Sequence, residues 1–154
     1  LTSSRGQGGA VSNSIRGLPH AGAENPDLNT IDYVTIASTG NATDFGDPSV
    51  SRGNATGAAS TTRAVFGGSG NTIDFVTIAS TGDATDFGDR TIAARSGSGG
   101  GNDIRGLFVG GLTPSATNTI DYITIASTGN AVDFGDRTIA VDQVTGVSNG
   151  HGGL

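Results

Sequence analysis

Residues 118–136 read "NTIDYITIASTGNAVDFGD", and nearly the same nineteen letters occur twice before, as "NTIDYVTIASTGNATDFGD" at 29–47 and "NTIDFVTIASTGDATDFGD" at 71–89. A catalytic centre is normally a single irregular feature, so a cassette repeated this faithfully argues for architecture before chemistry. Its β-branched and aromatic residues, punctuated by Gly, Asn and Asp, predict strands and disfavour helix. In the third copy Ile120 and Tyr122 point one way while Ile123 and Ile125 point the other, because strand side chains alternate with period two. Both faces are apolar, which suits a strand sandwiched between neighbouring sheets.

The stretches between cassettes repeat as well. Ile31 to Ile73 spans 42 residues and Ile73 to Ile120 spans 47, a period of propeller-type arrays and longer solenoids. Upstream of each cassette lies an arginine, an apolar stretch and a small pair, in "RGLPHAG" at 16–22, "RAVFGG" at 63–68 and "RGLFVGG" at 105–111. Earlier still is a Gly-rich element, "SRGQGGAV", "SRGNATGAA" or "ARSGSGGG". Asp47 to Arg63 and Asp89 to Arg105 are both sixteen residues, so length varies only in the loop after the small pair. Each repeat therefore parses as four short strands: the Gly-rich element, the Arg-led segment, the Thr-Ile-Asp-Tyr-Ile-Thr-Ile-Ala type, and Ala-Val-Asp-Phe after a Ser-Thr-Gly-Asn or Ser-Thr-Gly-Asp turn. The expected fold is all-β, one repeat domain over 1–154, with repeats at about 3–47, 48–89 and 90–136 and a closing-strand region at 137–154 whose "RTIA" restates the start of "RTIAARSGSGGG".

Composition narrows the function classes. The chain has 154 residues, 27 Gly, 34% hydrophobic residues, no Cys, Met or Trp, and a formal charge of −6 from thirteen Asp and one Glu against eight Arg. A basic footprint for nucleic acid is absent. The Asp residues recur singly, as turn and strand-end residues do. Without cysteine there are neither disulfides nor thiolate metal sites. No apolar run approaches a membrane span, and "LTSSRGQGGAVSN" lacks the blocks of a signal peptide. Lacking an initiator Met, the chain reads as a processed product or as part of a longer array.

A strand ending in Gly-Gly, a loop, and then an Asp-bearing strand of the form "NTIDYITIAS" resembles the kelch motif of β-propellers, with four-stranded blades of about fifty residues. The late Trp of that motif is missing; Phe45, Phe87 and Phe134 sit near its place. The cassette wording and the ending "SNGHGGL" resemble repeats of structural or tail-fibre proteins of marine phages, especially cyanophages. The resemblance implies kelch-like blades of four antiparallel strands and a virion or extracellular location; a β-solenoid is the alternative. Propellers close with about four to eight blades, so three leave open edges, and the expectation is a homo-oligomer formed through them.

The candidate site residues form rows. Asp44/Asp47, Asp86/Asp89 and Asp133/Asp136, with Asp83 added in the second copy, offer oxygen ligands to calcium, and equally accept local backbone N–H bonds in turns. Arg16, Arg63 and Arg105 recur in step with Asp32, Asp74 and Asp121 on adjacent strands, predicting the structural ion pairs Arg16–Asp32, Arg63–Asp74 and Arg105–Asp121. His20 and His151 have no Ser/Asp arrangement of a hydrolase around them. "NAT" at 41–43 and 54–56 fits an N-glycosylation acceptor, which is accidental in a phage or bacterial protein. The repeated glycines read as turn and close-approach positions and not as a phosphate cradle, which would need a following helix. The function expected is that of a non-enzymatic, self-assembling structural protein of a virion or extracellular fibre, presenting loops to a cell-surface glycan. Two other classes remain open: a carbohydrate-binding module reading sugar with loops 19–28 and 112–117, and a glycan depolymerase using an Asp pair.

Overall fold

The computed structural model describes residues 1–24 and 26–146. Each repeat folds into its own four-stranded antiparallel sheet, and the described residues contain no helix. The first sheet has β1 (Gly9–Ser12), β2 (Arg16–His20), β3 (Ile31–Thr35) and β4 (Thr43–Gly46). The second has β5 (Thr56–Ala59), β6 (Arg63–Gly67), β7 (Thr72–Thr77) and β8 (Thr85–Asp89), and the third β9 (Ser98–Gly101), β10 (Arg105–Thr113), β11 (Ser115–Thr124) and β12 (Val132–Asp136). Strands pair in sequence order in every sheet. The first strands β1, β5 and β9 lie beside one another, and a cleft of about 530 Å³ lined by them, by Ser60 and by Asp103 runs along that row.

The two-faced strand pattern of the cassette is realised in the middle sheet. Ala64, Phe66, Val76 and Ile78 pack on Val11, Leu18, Ile31 and Phe45 of the first sheet. Ala58, Val65, Ile73 and Phe87 of the same sheet pack on Phe108, Ile123, Ile125 and Ala131 of the third. Main-chain bonds lock each junction: the turn after the third strand of one sheet donates to the last strand of the sheet before it. Gly82 N bonds Phe45 O at 2.7 Å and Ala84 N bonds Asp47 O at 2.7 Å. One junction later, Gly129 N bonds Phe87 O and Ala131 N bonds Asp89 O, both at 2.8 Å. A side chain completes each set, Asp83 Oδ1 accepting from Asp47 N and Asn130 Oδ1 from Asp89 N, each at 3.0 Å.

Between third and fourth strands the register slips once in every sheet, at Ile31/Asp32, Ile73/Asp74 and Ile120/Asp121. This bulge leaves one residue of the last strand unpaired in the ladder, and it sets Phe45, Phe87 and Phe134 beside a glycine with φ of +146°, +141° or +134°. Gly88 is required twice over, by that φ and because a Cβ there would lie 2.5 Å from Gly129 O.

One expectation is corrected. Residues 112–117 are not a variable loop: Leu112 and Thr113 extend β10, Ser115 to Thr117 open β11, and the strands turn at Pro114. In the region expected to hold a fourth first strand, residues 137–146 are irregular. First strands begin seven residues after Thr2, Ser49 and Thr91, at Gly9, Thr56 and Ser98. Counting seven from Thr138 gives Thr145, so most of a fourth strand, with His151, falls outside the described residues.

Gly88→Ala is expected to destabilise the chain by more than about 1 kcal/mol beyond the cost of Gly135→Ala, whose φ is similar but whose Cβ meets nothing. Urea unfolding of the two variants as monomers measures the difference.

Candidate functional site

Strand alternation aims one aspartate of each third strand inward, on the face opposite Tyr33, Phe75 and Tyr122. Asp32, Asp74 and Asp121 are fully buried, and each is held by a cation and a hydroxyl from the segment preceding the first strand of its own sheet. Asp32 accepts from Thr2 N (3.2 Å), Thr2 Oγ1 (2.5 Å) and Arg5 Nη2 (2.8 Å). Asp74 accepts from Ser49 N (3.1 Å), Ser49 Oγ (2.6 Å) and, at very short range, Arg52 Nη2. Asp121 accepts from Arg90 Nε at 3.1 Å and closely from Thr91 Oγ1.

The arginines also tie the chain entering and leaving each sheet's middle hairpin. Arg5 Nη1 donates to Ala21 O and Thr30 O, and Arg52 Nη1 to Phe66 O and Thr72 O, at 3.1–3.3 Å. Arg90 Nη2 donates to Gly110 O at 3.4 Å. Burial lowers the Arg52 and Arg90 pKa values, opposed by the facing Asp74 and Asp121 carboxylates. A buried ion pair with further hydrogen bonds on both partners specifies geometry more than it adds stability.

The expected ion pairs therefore have the right aspartates and the wrong arginines. Arg16, Arg63 and Arg105 lie instead with their guanidinium carbons 4.6, 4.7 and 4.9 Å from the ring centroids of Tyr33, Phe75 and Tyr122. Those rings meet Phe45, Phe87 and Phe134 edge-on at centroid distances of 5.9–6.0 Å. Arg16 and Arg63 extend past the ring into the following sheet, donating to Ile78 O (2.7 Å) and to Ile125 O (3.1 Å) and Ala126 O (2.9 Å). A guanidinium stacked on an aromatic face keeps its donors free for such carbonyls.

Sequence reasoning passed over Arg5, Arg52 and Arg90 because the third copy moves the arginine. It stands three residues after the hydroxyl in "TSSR" and "SVSR" but one before it in "DRT". The repeated hydroxyl was the available signal. In the third copy the Arg5 position is filled by Ala94, so Arg95 of the Gly-rich element is out of step with Arg5 and Arg52.

Of the six aspartates considered for calcium, Asp86 and Asp133 accept turn bonds and Asp47 and Asp89 meet a junction through their main chain. Asp86 Oδ1 accepts from Gly88 N and Asp133 Oδ1 from Gly135 N, at 3.1 and 3.0 Å. Asp44 stands opposite Asp32 in the ladder, while Asp89 and Asp136 end β8 and β12 and Asp47 directly follows β4. Partial desolvation, then the negative charges of Asp83 and Asp44, raise the Asp47 pKa. Among the described residues no group of three His, Cys, Asp or Glu side chains is placed to hold a metal ion.

His20 ends β2 in a position filled by Gly67 and Val109 in the other copies. It is fully buried, tilted against Phe66 at 4.2 Å between centroids, and neither ring nitrogen has a hydrogen-bond partner among the described residues. Burial first, and then the Arg52 guanidinium, lowers its pKa from 6.5 to about 3.

The chain matches no protein-family model and no curated protein. What fold and site define is an all-β repeat protein of three sheets, each built around one buried aspartate clamp.

Asp74→Asn leaves Arg52 buried without its counter-charge and is expected to cost about 3–5 kcal/mol, read by chemical denaturation. His20 is neutral in the folded chain, and the unfolded chain takes up its proton below about pH 6.5. Its contribution is thus complete above that value and lost as pH falls toward about 3, by up to about 1.4 kcal/mol per pH unit. His20→Val should flatten that part of the stability–pH curve relative to the parent chain.

Proposed function

We propose that this chain is a non-enzymatic structural protein whose three sheets are blades of a kelch-like β-propeller arc and whose function is self-assembly, in a phage virion or an extracellular fibre. The propeller reading is supported by sheets built from four consecutive strands of one repeat, with first strands side by side. A solenoid would instead pair equivalent strands of successive repeats. The virion or extracellular placement follows the likeness of the cassette to phage fibre repeats.

One observation carries the assembly reading. Phe45 and Phe87 are 2% and 3% exposed, but Phe134, in the same place on the last sheet, is 54% exposed. Ile78 and Ile125 are each 1% exposed, but Ile36, their counterpart on the first sheet, is 55% exposed. Among the described residues, both outer faces thus carry the apolar residues of a junction without the junction. Burying a Phe or Ile side chain fully is worth about 1.5–3 kcal/mol, a driving force for closing such faces. The non-enzymatic reading is supported by the rows of aspartates, whose buried members share one structural role in all three copies.

Light scattering across protein concentration, with negative-stain microscopy, tests this reading. Assembly predicts a particle mass of two or more chains without any added ligand. A carbohydrate-binding module predicts a monomer that saturates with a glycan, and that result would overturn the proposal.

A further inference from the structure

Building on the assembly reading, we propose that the free face of the third sheet receives the first sheet of a second copy, head to tail, in the register of the two internal junctions. The last strand of the third sheet presents Phe134 O, Asp136 O and Asp136 N. These are the counterparts of Phe45 O, Asp47 O and Asp47 N at one internal junction and of Phe87 O, Asp89 O and Asp89 N at the other. The first sheet presents Gly40 N, Ala42 N and Asn41 Oδ1, the counterparts of Gly129 N, Ala131 N and Asn130 Oδ1. Among the described residues none of these six groups makes its junction bond within the chain. The donors of one end match the acceptors of the other, group for group.

Side chains agree with the main chain. Gly46 and Gly88 lie against the carbonyls of Gly82 and Gly129, whereas Gly135 has open space where Gly40 of an incoming copy would sit. Arg105 is stacked on Tyr122 like Arg16 on Tyr33 and Arg63 on Phe75, yet among the described residues it has no carbonyl beyond the ring. Ile36 O of the second copy stands where Ile78 O and Ile125 O stand for the other two arginines. Phe134 and Ile36 meet across the same seam.

The segment after the third sheet is already set for the aspartate of a following sheet. "DRTIA" at 136–140 repeats 89–93 letter for letter. Arg137 N bonds Asn118 O at 2.8 Å as Arg90 N bonds Asn71 O at 2.7 Å, and Gly111 N bonds Val141 O as Gly22 N bonds Arg52 O. Gln143 has φ of +52°, matching Gln7, Asn54 and Ser96 at +49°, +51° and +58°. Where Arg90 and Thr91 hold Asp121, Arg137 and Thr138 have no aspartate; Arg137 Nη1 is buried without a hydrogen-bond partner among the described residues. Asp32 of the incoming copy is the carboxylate for that place. It arrives with its own Thr2 and Arg5 in the equivalent position, so the joint exchanges one set for the other, with Arg137 and Thr138 taking over Asp32.

The faces are unlike, so a chain blocked at one end keeps the other. Phe134→Arg and Ile36→Arg each put a charge on an exposed position and leave the fold of the monomer intact. By light scattering the parent chain is expected to form rings or polymers, each variant alone a monomer, and an equimolar mixture a dimer made through the one intact head and the one intact tail. Arg137→Ala should weaken association of the parent chain at least about tenfold. A monomeric parent chain would overturn both this interface and the assembly reading. Assembly that survives Phe134→Arg and Ile36→Arg would overturn this interface and leave the broader reading standing, and association unchanged by Arg137→Ala would refute the exchange.

Discussion

Everything in this molecule depends on a strand that is apolar on both sides. A four-stranded sheet with one polar face can rest on a single layer; the middle sheet here buries Val76 and Ile78 toward one neighbour and Ile73 and Phe87 toward the other. With only about a third of its residues hydrophobic and no Met or Trp, the chain cannot gather one large core. It builds two thin ones, each shared between adjacent sheets, so the natural unit of stability is the junction and not the sheet. The three sheets of the described residues have two junctions and two faces that lack one.

Within each sheet the buried aspartate fixes what the apolar contacts leave free. Hydrophobic burial is non-directional, whereas a carboxylate bound by a hydroxyl and a guanidinium, and in the first two sheets by a main-chain N–H as well, accepts only one placement of the segment that enters the first strand. The same arginine bonds the carbonyls flanking the middle hairpin, so the entry segment, the loop and the third strand are set together. The third copy reaches this arrangement with the arginine on the other side of its hydroxyl. The clamp is thus a constraint on placement that more than one local sequence satisfies.

Strand positions, the antiparallel order and the two-sided apolar pattern were legible in the sequence because they are local and periodic. The arginine partners were not. Arg16 and Asp32 sit on adjacent strands of one sheet, and pattern alone joins them; in the ladder Arg16 stands opposite Thr35, three residues from Asp32, so strand alternation puts Arg16 over Tyr33 on one face and Asp32 with Arg5 on the other. The long extension of β10 and β11 past Gly110 was hidden for a related reason: Leu112 to Thr117 carry loop-like letters, and hairpin pairing overrides their weak propensity. The unlike, complementary ends were visible only as repeat edges, since which main-chain groups a junction uses is a property of the packed sheets.

The ends of the chain are expected to meet as its interior sheets do. Amide hydrogen exchange on the concentrated particle reads this at single residues. Gly82 and Ala84, which bond across an internal junction, provide the internal standard. Protection of Gly40 and Ala42 approaching theirs, and lost on dilution to monomer, is the predicted result. Exchange of Gly40 and Ala42 at open-loop rates in a particle whose Gly82 and Ala84 are protected would contradict it.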